Sequence, residues 1–263
     1  MTELTTYSIS IPVHIADERE GQLYPGKSAV LGTAFPIGDA FLLTAGHVAR
    51  ELNEAKSSNR GQPAVGLFHP ESFCQILVRI VETEILEGDI GVLRVEFSEL
   101  SQKTWLFPLH WTLRFVNLGS PVRTPGYAYA DHTVGDEHFI IQRSFQGSIV
   151  SQIGKYIPNG MKGIPFGVYE TSFASPRGHS GAPLLLGNGR VIGIVIGNSK
   201  SRMLILDAEE VSTDGQTTTL IEQYESLALG ISVEAKFILN LHSKLLGKTI
   251  QSWLESKDLI HKD

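Results

Sequence analysis

Short runs rich in valine, isoleucine, phenylalanine and threonine recur along the chain, each closed within a few residues by glycine, proline, asparagine or aspartate. Segments this short cannot cross back to a parallel neighbour without a long connection, so the pattern predicts an all-β protein of antiparallel hairpins. The expected strands are 7–15, 29–36, 40–44, 64–68, 74–82 and 90–96, then 122–129, 139–145, 147–152, 168–173, 182–186, 190–197, 203–207 and 227–233. About half lie on each side of the aromatic-rich stretch 107–116, which predicts two β units of about six strands each. Helix is scarce. A four-residue spacing of Val233, Phe237, Leu241 and Leu245 before Gly247 predicts a packing helix near the end, and Leu246, Ile250 and Leu254 continue its stripe, giving a helix over 233–256.

At 263 residues with 42% hydrophobic and 19% charged content, the chain has the composition of a soluble globular protein. A formal net charge of −6, with scattered lysine and arginine, supplies no field for phosphates, so nucleic acid is not an expected partner. The longest apolar runs, such as 191–196, are far too short to span a bilayer, and MTELTTYSISIPV lacks the basic and apolar regions of a secretory signal, so no membrane association is expected. Cys74 is the single cysteine, sits in the apolar FCQILVRIV as a structural thiol, and forms no internal disulfide; a cytoplasmic location is expected. The polar VSTDGQTTT at 211–219 is expected to be a surface loop. His132 and His138 lie with Asp131, Asp136 and Glu137 in DHTVGDEH without metal-ligand spacing, and read as a solvated loop.

Chemistry enters with PRGHSGAPLLL, residues 176–186, where Ser180 is flanked by Gly178 and Gly181. An esterase nucleophile elbow requires an apolar strand running into the first glycine and a helix directly after the serine. Here Ser175, Pro176 and Arg177 precede the glycine, and Pro183 followed by LLLGNGRVIGIVIG forms a strand, an Asn-Gly turn and a second strand. The elbow reading fails on both counts. Upstream, FLLTAGHV presents His47 at the end of an apolar strand and EGDIGVLRV presents Asp89 at the start of another. A histidine, an aspartate and a serine are the base, orienter and nucleophile of an acyl-transfer triad.

These motifs, in this order, resemble those of the trypsin-like (chymotrypsin-fold) serine protease superfamily, with T-A-x-H, D-I-x-L-L and G-x-S-G-x-P. The resemblance runs over roughly residues 28–240, from Gly32-Thr33-Ala34-Phe35 through LGSPVRTPGYA, FQGSIVSQIG and ETSFASPRGHSGAPLL to LGISVEAKFI, and is most similar to the bacterial HtrA-like branch, with no PDZ module following. It implies two packed six-stranded antiparallel β-barrels, over 1–115 and 116–232, ahead of the C-terminal helix, and a cofactor-free serine endopeptidase. His47 would take the Ser180 proton and later protonate the leaving amine. Asp89 would fix the imidazole tautomer, and the N–H groups of Gly178 and Ser180 would form the oxyanion hole. A protein or peptide substrate would pair as an added antiparallel strand with Ile196, Gly197 and Asn198, and Ala174 would lie at the base of the specificity pocket. With no acidic residue at Ala174, the resemblance implies cleavage after small or medium apolar residues, not after Lys or Arg.

The sequence also departs from the family. The acidic residue that pairs with a newly cut N-terminus in secreted trypsins is replaced by His179, so activity is expected without zymogen cleavage, under the control of a partner or sensor module, an oligomeric contact or loop ordering. His179 itself is expected in a solvated loop. Ile196 stands where a hydroxyl usually supports the catalytic aspartate, so Asp89 must find that support elsewhere. A second reading follows from these departures: a protease-fold binding or regulatory module with little turnover.

Overall fold

A computed structural model describes residues 9–25, 30–68, 75–96, 108–128, 131–134, 137–157, 165–211 and 218–261. Among them, β1 (Ile11–Arg19), β2 (Gln22–Pro25), β3 (Gly32–Pro36), β4 (Phe41–Ala45), β5 (Gln62–Phe68), β6 (Gln75–Leu86) and β7 (Ile90–Val95) form one antiparallel sheet. Its order β1-β3-β4-β7-β6-β5 closes through β1–β5 pairing into a six-stranded barrel, and β2 folds back on β1 outside the closure. After β8 (Trp111–Thr112) the chain builds β9 (Pro121–Gly126), the hairpin β10 (Asp131–Val134) and β11 (Glu137–Ile140), β12 (Arg143–Tyr156), β13 (Phe166–Thr171), β14 (Pro183–Leu186), β15 (Val191–Val211) and β16 (Thr218–Glu234). The order β14-β9-β12-β13-β16-β15 closes through β14–β15 pairing into a second six-stranded barrel. The expected pair of barrels is thus present.

Several boundaries differ from expectation. The expected strand 139–145 is split between the end of β11 and the start of β12, 147–152 lies within β12, and 203–207 and 227–233 are stretches of the long β15/β16 hairpin, paired from Gly193↔Glu234 to Val211↔Thr218. Of the expected 211–219 loop, residues 212–217 lie outside the described residues, as does Cys74. The segment expected as a solvated loop around His132 and His138 has the backbone of the β10–β11 hairpin.

The first barrel carries a helix that the pattern of strands concealed, α1 (Gly46–Ser57), which buries Val48, Ala49, Leu52 and Ala55. At the other end, the single helix expected over 233–256 is two helices, α2 (Ala235–Asn240) and α3 (Ile250–Glu255). Between them Leu241 turns extended and β17 (His242–Ser243) pairs with β18 (Lys248–Thr249); a last short strand, β19 (Ile260–His261), lies beside β8.

The barrels are joined by apolar packing and by polar stitches. One continuous core holds Phe35, Leu43 and Ile90 of the first barrel, Val168, Ile194 and Val233 of the second, and Ile238, Ile250 and Leu254 of the C-terminal segment. Burying side chains of this size yields roughly 2 kcal/mol each, which makes the interface between barrels part of the core. Ser10 Oγ donates to Pro125 O (2.7 Å), and Thr33 Oγ1 both donates to Gly178 O (2.9 Å) and accepts from Tyr127 N (3.0 Å). The C-terminal segment is pinned to the first barrel: Trp253 Nε1 donates to Ile37 O, and the Glu84 carboxylate accepts from Ser243 Oγ and from the N–H groups of Lys244 and Leu245. Partial burial opposes the Glu84 charge, but those three donors outweigh it and leave its pKa below the ordinary carboxylate value. No helix among the described residues is long and apolar enough to cross a membrane.

Candidate active site

β4 runs straight into α1, which places His47 in the helix's first turn, where backbone N–H groups lack intrahelical partners. The N-cap is Ala45, which has no side chain to supply one, and the first turn contains no acidic residue. Asp89 fills that role from the turn before the neighbouring strand β7, whose Ile90 pairs with Ala45. Its Oδ1 accepts from the His47 backbone N–H at 2.7 Å, and its Oδ2 accepts from His47 Nδ1 at 2.6 Å. A carboxylate only accepts, so Nδ1 carries the proton and Nε2 is left as the basic nitrogen. The positive end of the helix dipole favours the carboxylate at this place.

Asp89 reaches this position through a tight 3-10 turn, Glu87–Asp89, with positive φ at Gly88 (+69°) and Asp89 (+59°). Gly46 is required opposite it, because a Cβ there would stand 2.9 Å from Asp89 Oδ1. The Asp89 side chain is 5% exposed and that of His47 is 38% exposed, so the acceptor is shielded while the imidazole faces the cleft. The ring of Phe237 in α2 lies directly over Gly88, where a Cβ would collide with it, so the C-terminal segment braces the turn that carries Asp89.

The loop bearing Ser180 belongs to the second barrel but is clasped by the first. Thr33 N–H donates to Ser180 O (2.8 Å), and a Cβ on Gly181 would strike Thr33 O, Thr44 Oγ1 and Ala45 N, so the loop rests on the end of β4 two residues before His47. Pro176–His179 is a β-turn closed by His179 N–H to Pro176 O (3.1 Å), with Gly178 at φ +87° and negative φ at Arg177, a type II turn. Gly178 is obligatory: a Cβ there would lie 2.6 Å from Tyr127 O. In residues 178–182, the N–H groups of His179, Gly181 and Ala182 all donate to backbone carbonyls, whereas those of Gly178 and Ser180 meet no acceptor among the described residues. Two free donors on one tight loop are the chemical requirement of an oxyanion site. No hydrogen bond among the described residues joins Ser180 Oγ to His47.

The immediate neighbour of the serine is not solvated. His179 is fully buried, Nε2 lies 3.0 Å from Thr124 Oγ1, Phe145 stands edge-on at 5.1 Å, and Gly126 is close enough that a Cβ would meet the ring. Burial, opposed by the Thr124 hydrogen bond, lowers its pKa to about 4, so the ring is neutral at pH 7. The position that carries an acid in secreted trypsins is filled here by an uncharged ring wedged between β9 and β12.

The remaining expected site residues cluster at the start of the β15/β16 hairpin. Ile196 is the extra residue of a bulge between Val195↔Ser232 and Gly197↔Ile231, and it packs against the cores of both barrels. An aliphatic side chain there replaces a hydroxyl, and the second hydrogen bond to Asp89 comes instead from the His47 backbone. Asn198 reaches across to the loop after β13, where Ala174 is half-buried: Ser175 N–H donates to Asn198 Oδ1, and Asn198 Nδ2 donates to Ser175 O (2.7 Å).

The trypsin-like peptidase domain model matches residues 32–194, more than half of the chain. The chain belongs to the trypsin-like peptidase family. This peptidase-family chain shares its fold with the MamO protease domain from Magnetospirillum magneticum (TM-score 0.53, 13% identity, 89% of this chain and 95% of that one). It is similar too to Deg5 (TM-score 0.52, 18% identity, 74% and 81% covered) and to an inactive form of Rv3671c from M. tuberculosis (TM-score 0.51, 17% identity, 88% and 83% covered). An active form of Rv3671c matches with the same TM-score of 0.51, so the shared fold is compatible with either state. No curated protein matches by sequence. Three features of this family member escaped sequence reasoning: the backbone half of the Asp89–His47 pair, the Phe237 brace and the Asn198 bridge. Each depends on a contact between residues distant in sequence, and only Gly46 and Gly88 hint at the close approaches.

Proposed function

We propose that this chain is a serine endopeptidase that hydrolyses protein or peptide bonds through Ser180, His47 and Asp89 and needs no cofactor. The observation that carries the reading is the doubly bonded Asp89–His47 pair beside a serine loop that rests on the end of β4 and whose Gly178 and Ser180 N–H groups meet no acceptor among the described residues. Ser180 Oγ attacks the carbonyl as His47 Nε2 takes its proton, and the developing oxyanion meets the two N–H groups. The amine then leaves with the proton from His47, and water repeats the sequence on the acyl-enzyme. A preorganised donor of this kind contributes about 3 kcal/mol to the transition state.

Because His179 is buried and neutral, no N-terminal ammonium is needed to order the loop, which supports activity without zymogen cleavage. A partner protein or sensor module in a cytoplasmic assembly is the control we propose. The missing Ser180–His47 hydrogen bond, together with Ile196, favours a second reading in which the isolated chain is a weakly active binding module. An alkyl fluorophosphonate separates them: covalent labelling of the wild type and not of Ser180→Ala supports the peptidase, and absence of labelling with and without candidate partners overturns it.

A further inference from the structure

In the proposed peptidase the cleaved residue's side chain enters between two walls, the loop 173–176 and the strand segment 196–198. Here those walls are tied together. The Asn198 side chain satisfies both main-chain groups of Ser175, accepting from its N–H and donating to its carbonyl at 2.7 Å, as a neighbouring β-strand would. Deeper in, Gly230, which pairs with Asn198 in the β15/β16 register, donates its N–H to Phe173 O at 2.8 Å. The space is filled there as well: a Cβ on Gly230 would stand 2.6 Å from Thr171 Oγ1, 2.8 Å from Phe173 O and 3.7 Å from Ser175 Cβ. Ser175 is buried, and its Oγ has no hydrogen-bond partner among the described residues.

We infer that Asn198 is the specificity-determining residue of this site, closing the pocket so that the cleaved residue must be small: glycine, alanine or serine. The inference rests on the peptidase reading and narrows its substrate class. A long side chain could enter only by displacing the Asn198 amide, which would leave the Ser175 N–H and carbonyl unpaired in a partly buried place. A small side chain leaves the bridge intact. Misfit by one methylene alone is worth about 10- to 200-fold in discrimination.

The test uses the full chain and two peptidyl diphenyl phosphonates that differ only in the side chain beside phosphorus, methyl or benzyl. Each labelling rate is expressed relative to that of a small fluorophosphonate, which reports a reactive serine whatever the pocket. The wild type is expected to prefer the methyl probe by about 100-fold or more. Asn198→Gly and, as a second variant, Asn198→Ala are expected to raise the benzyl-to-methyl ratio at least about tenfold. An unchanged ratio with intact fluorophosphonate labelling overturns the role of Asn198 and leaves the peptidase reading standing. A wild type that prefers the benzyl probe overturns it too. A wild type that fluorophosphonate never labels overturns the peptidase reading, and this inference with it. Loss of fluorophosphonate labelling in both variants would assign Asn198 to holding the serine loop, not to selecting the substrate.

Discussion

Replacing Asp89 by asparagine changes one atom's chemistry at the best-defined point of the site. The carboxylate accepts twice from a single residue, from the His47 N–H at 2.7 Å and from Nδ1 at 2.6 Å. An asparagine has one acceptor oxygen where the carboxylate uses two. If its oxygen stays on the backbone N–H, which the helix start requires, its NH2 faces Nδ1 and stabilises the tautomer with the proton on Nε2. That ring cannot accept from Ser180, and a wrong tautomer of this kind lowers turnover by about 10⁴-fold, about 5 kcal/mol of barrier. The folding cost is smaller: one charge-assisted hydrogen bond at about 1.5–3 kcal/mol and a fraction of the dipole interaction at about 0.3–1 kcal/mol. Asp89→Asn is therefore expected to remain folded with near-native circular dichroism while its fluorophosphonate labelling rate falls by several orders of magnitude. The ¹⁵N shifts of the His47 ring should report the proton on Nε2. Labelling above about a tenth of the wild-type rate, or an unchanged tautomer, would refute the reasoning.

Gly178→Ala places a side chain at φ +87° and 2.6 Å from Tyr127 O, so the type II turn must open; a stability loss of about 2 kcal/mol in urea and a roughly 10²-fold lower labelling rate are expected. Gly88→Val forces a β-branched residue into φ +69° beneath the Phe237 ring, with a loss of about 3 kcal/mol expected from thermal melts and partial recovery in the Gly88→Val, Phe237→Ala double variant. Burial lowers the pKa of both His14 and His179 to about 4 from an unfolded value near 6.5. Between those pH values the unfolded chain binds more protons, so stability is full above about pH 6.5 and falls as pH drops towards 4, by on the order of 3 kcal/mol per histidine. Urea unfolding across that range should show the loss, and His179→Leu should remove about half of it, His14 supplying the rest; a pH-independent midpoint would count against neutral burial.

The barrels were readable because strand periodicity and turn residues are local signals, and the order of His47, Asp89 and Ser180 was readable because each sits at a strand end beside glycine or alanine. What escaped was written between distant residues. α1 has an interpretable apolar stripe at 48, 49, 52 and 55, yet its start carries no serine, threonine or aspartate cap, since the cap is supplied by Asp89, 42 residues away in sequence, from the turn that opens the neighbouring strand β7. The four-residue spacing of Val233, Phe237, Leu241 and Leu245 was misleading for the same reason: Val233 still belongs to strand β16, Leu241 is extended, and Glu84 holds the turn that follows.

His179 carries this argument furthest. Between Gly178 and Gly181 and next to Ser180, a histidine reads as a solvated loop residue, and nothing nearby in sequence says otherwise. Its burial is decided by Thr124, Gly126 and Phe145 on two other strands, which leave room for a ring and supply no counter-charge. An aspartate there would be a buried anion in need of a cation; a neutral imidazole costs less, with Nε2 beside Thr124 Oγ1 and only Nδ1 left without a hydrogen-bond partner among the described residues. On the reading we propose, the residue that replaces the serine loop's usual ordering device is itself an internal one. A purified chain whose loop is ordered by His179 should label without any N-terminal processing, and His179→Asp should lose that labelling at neutral pH.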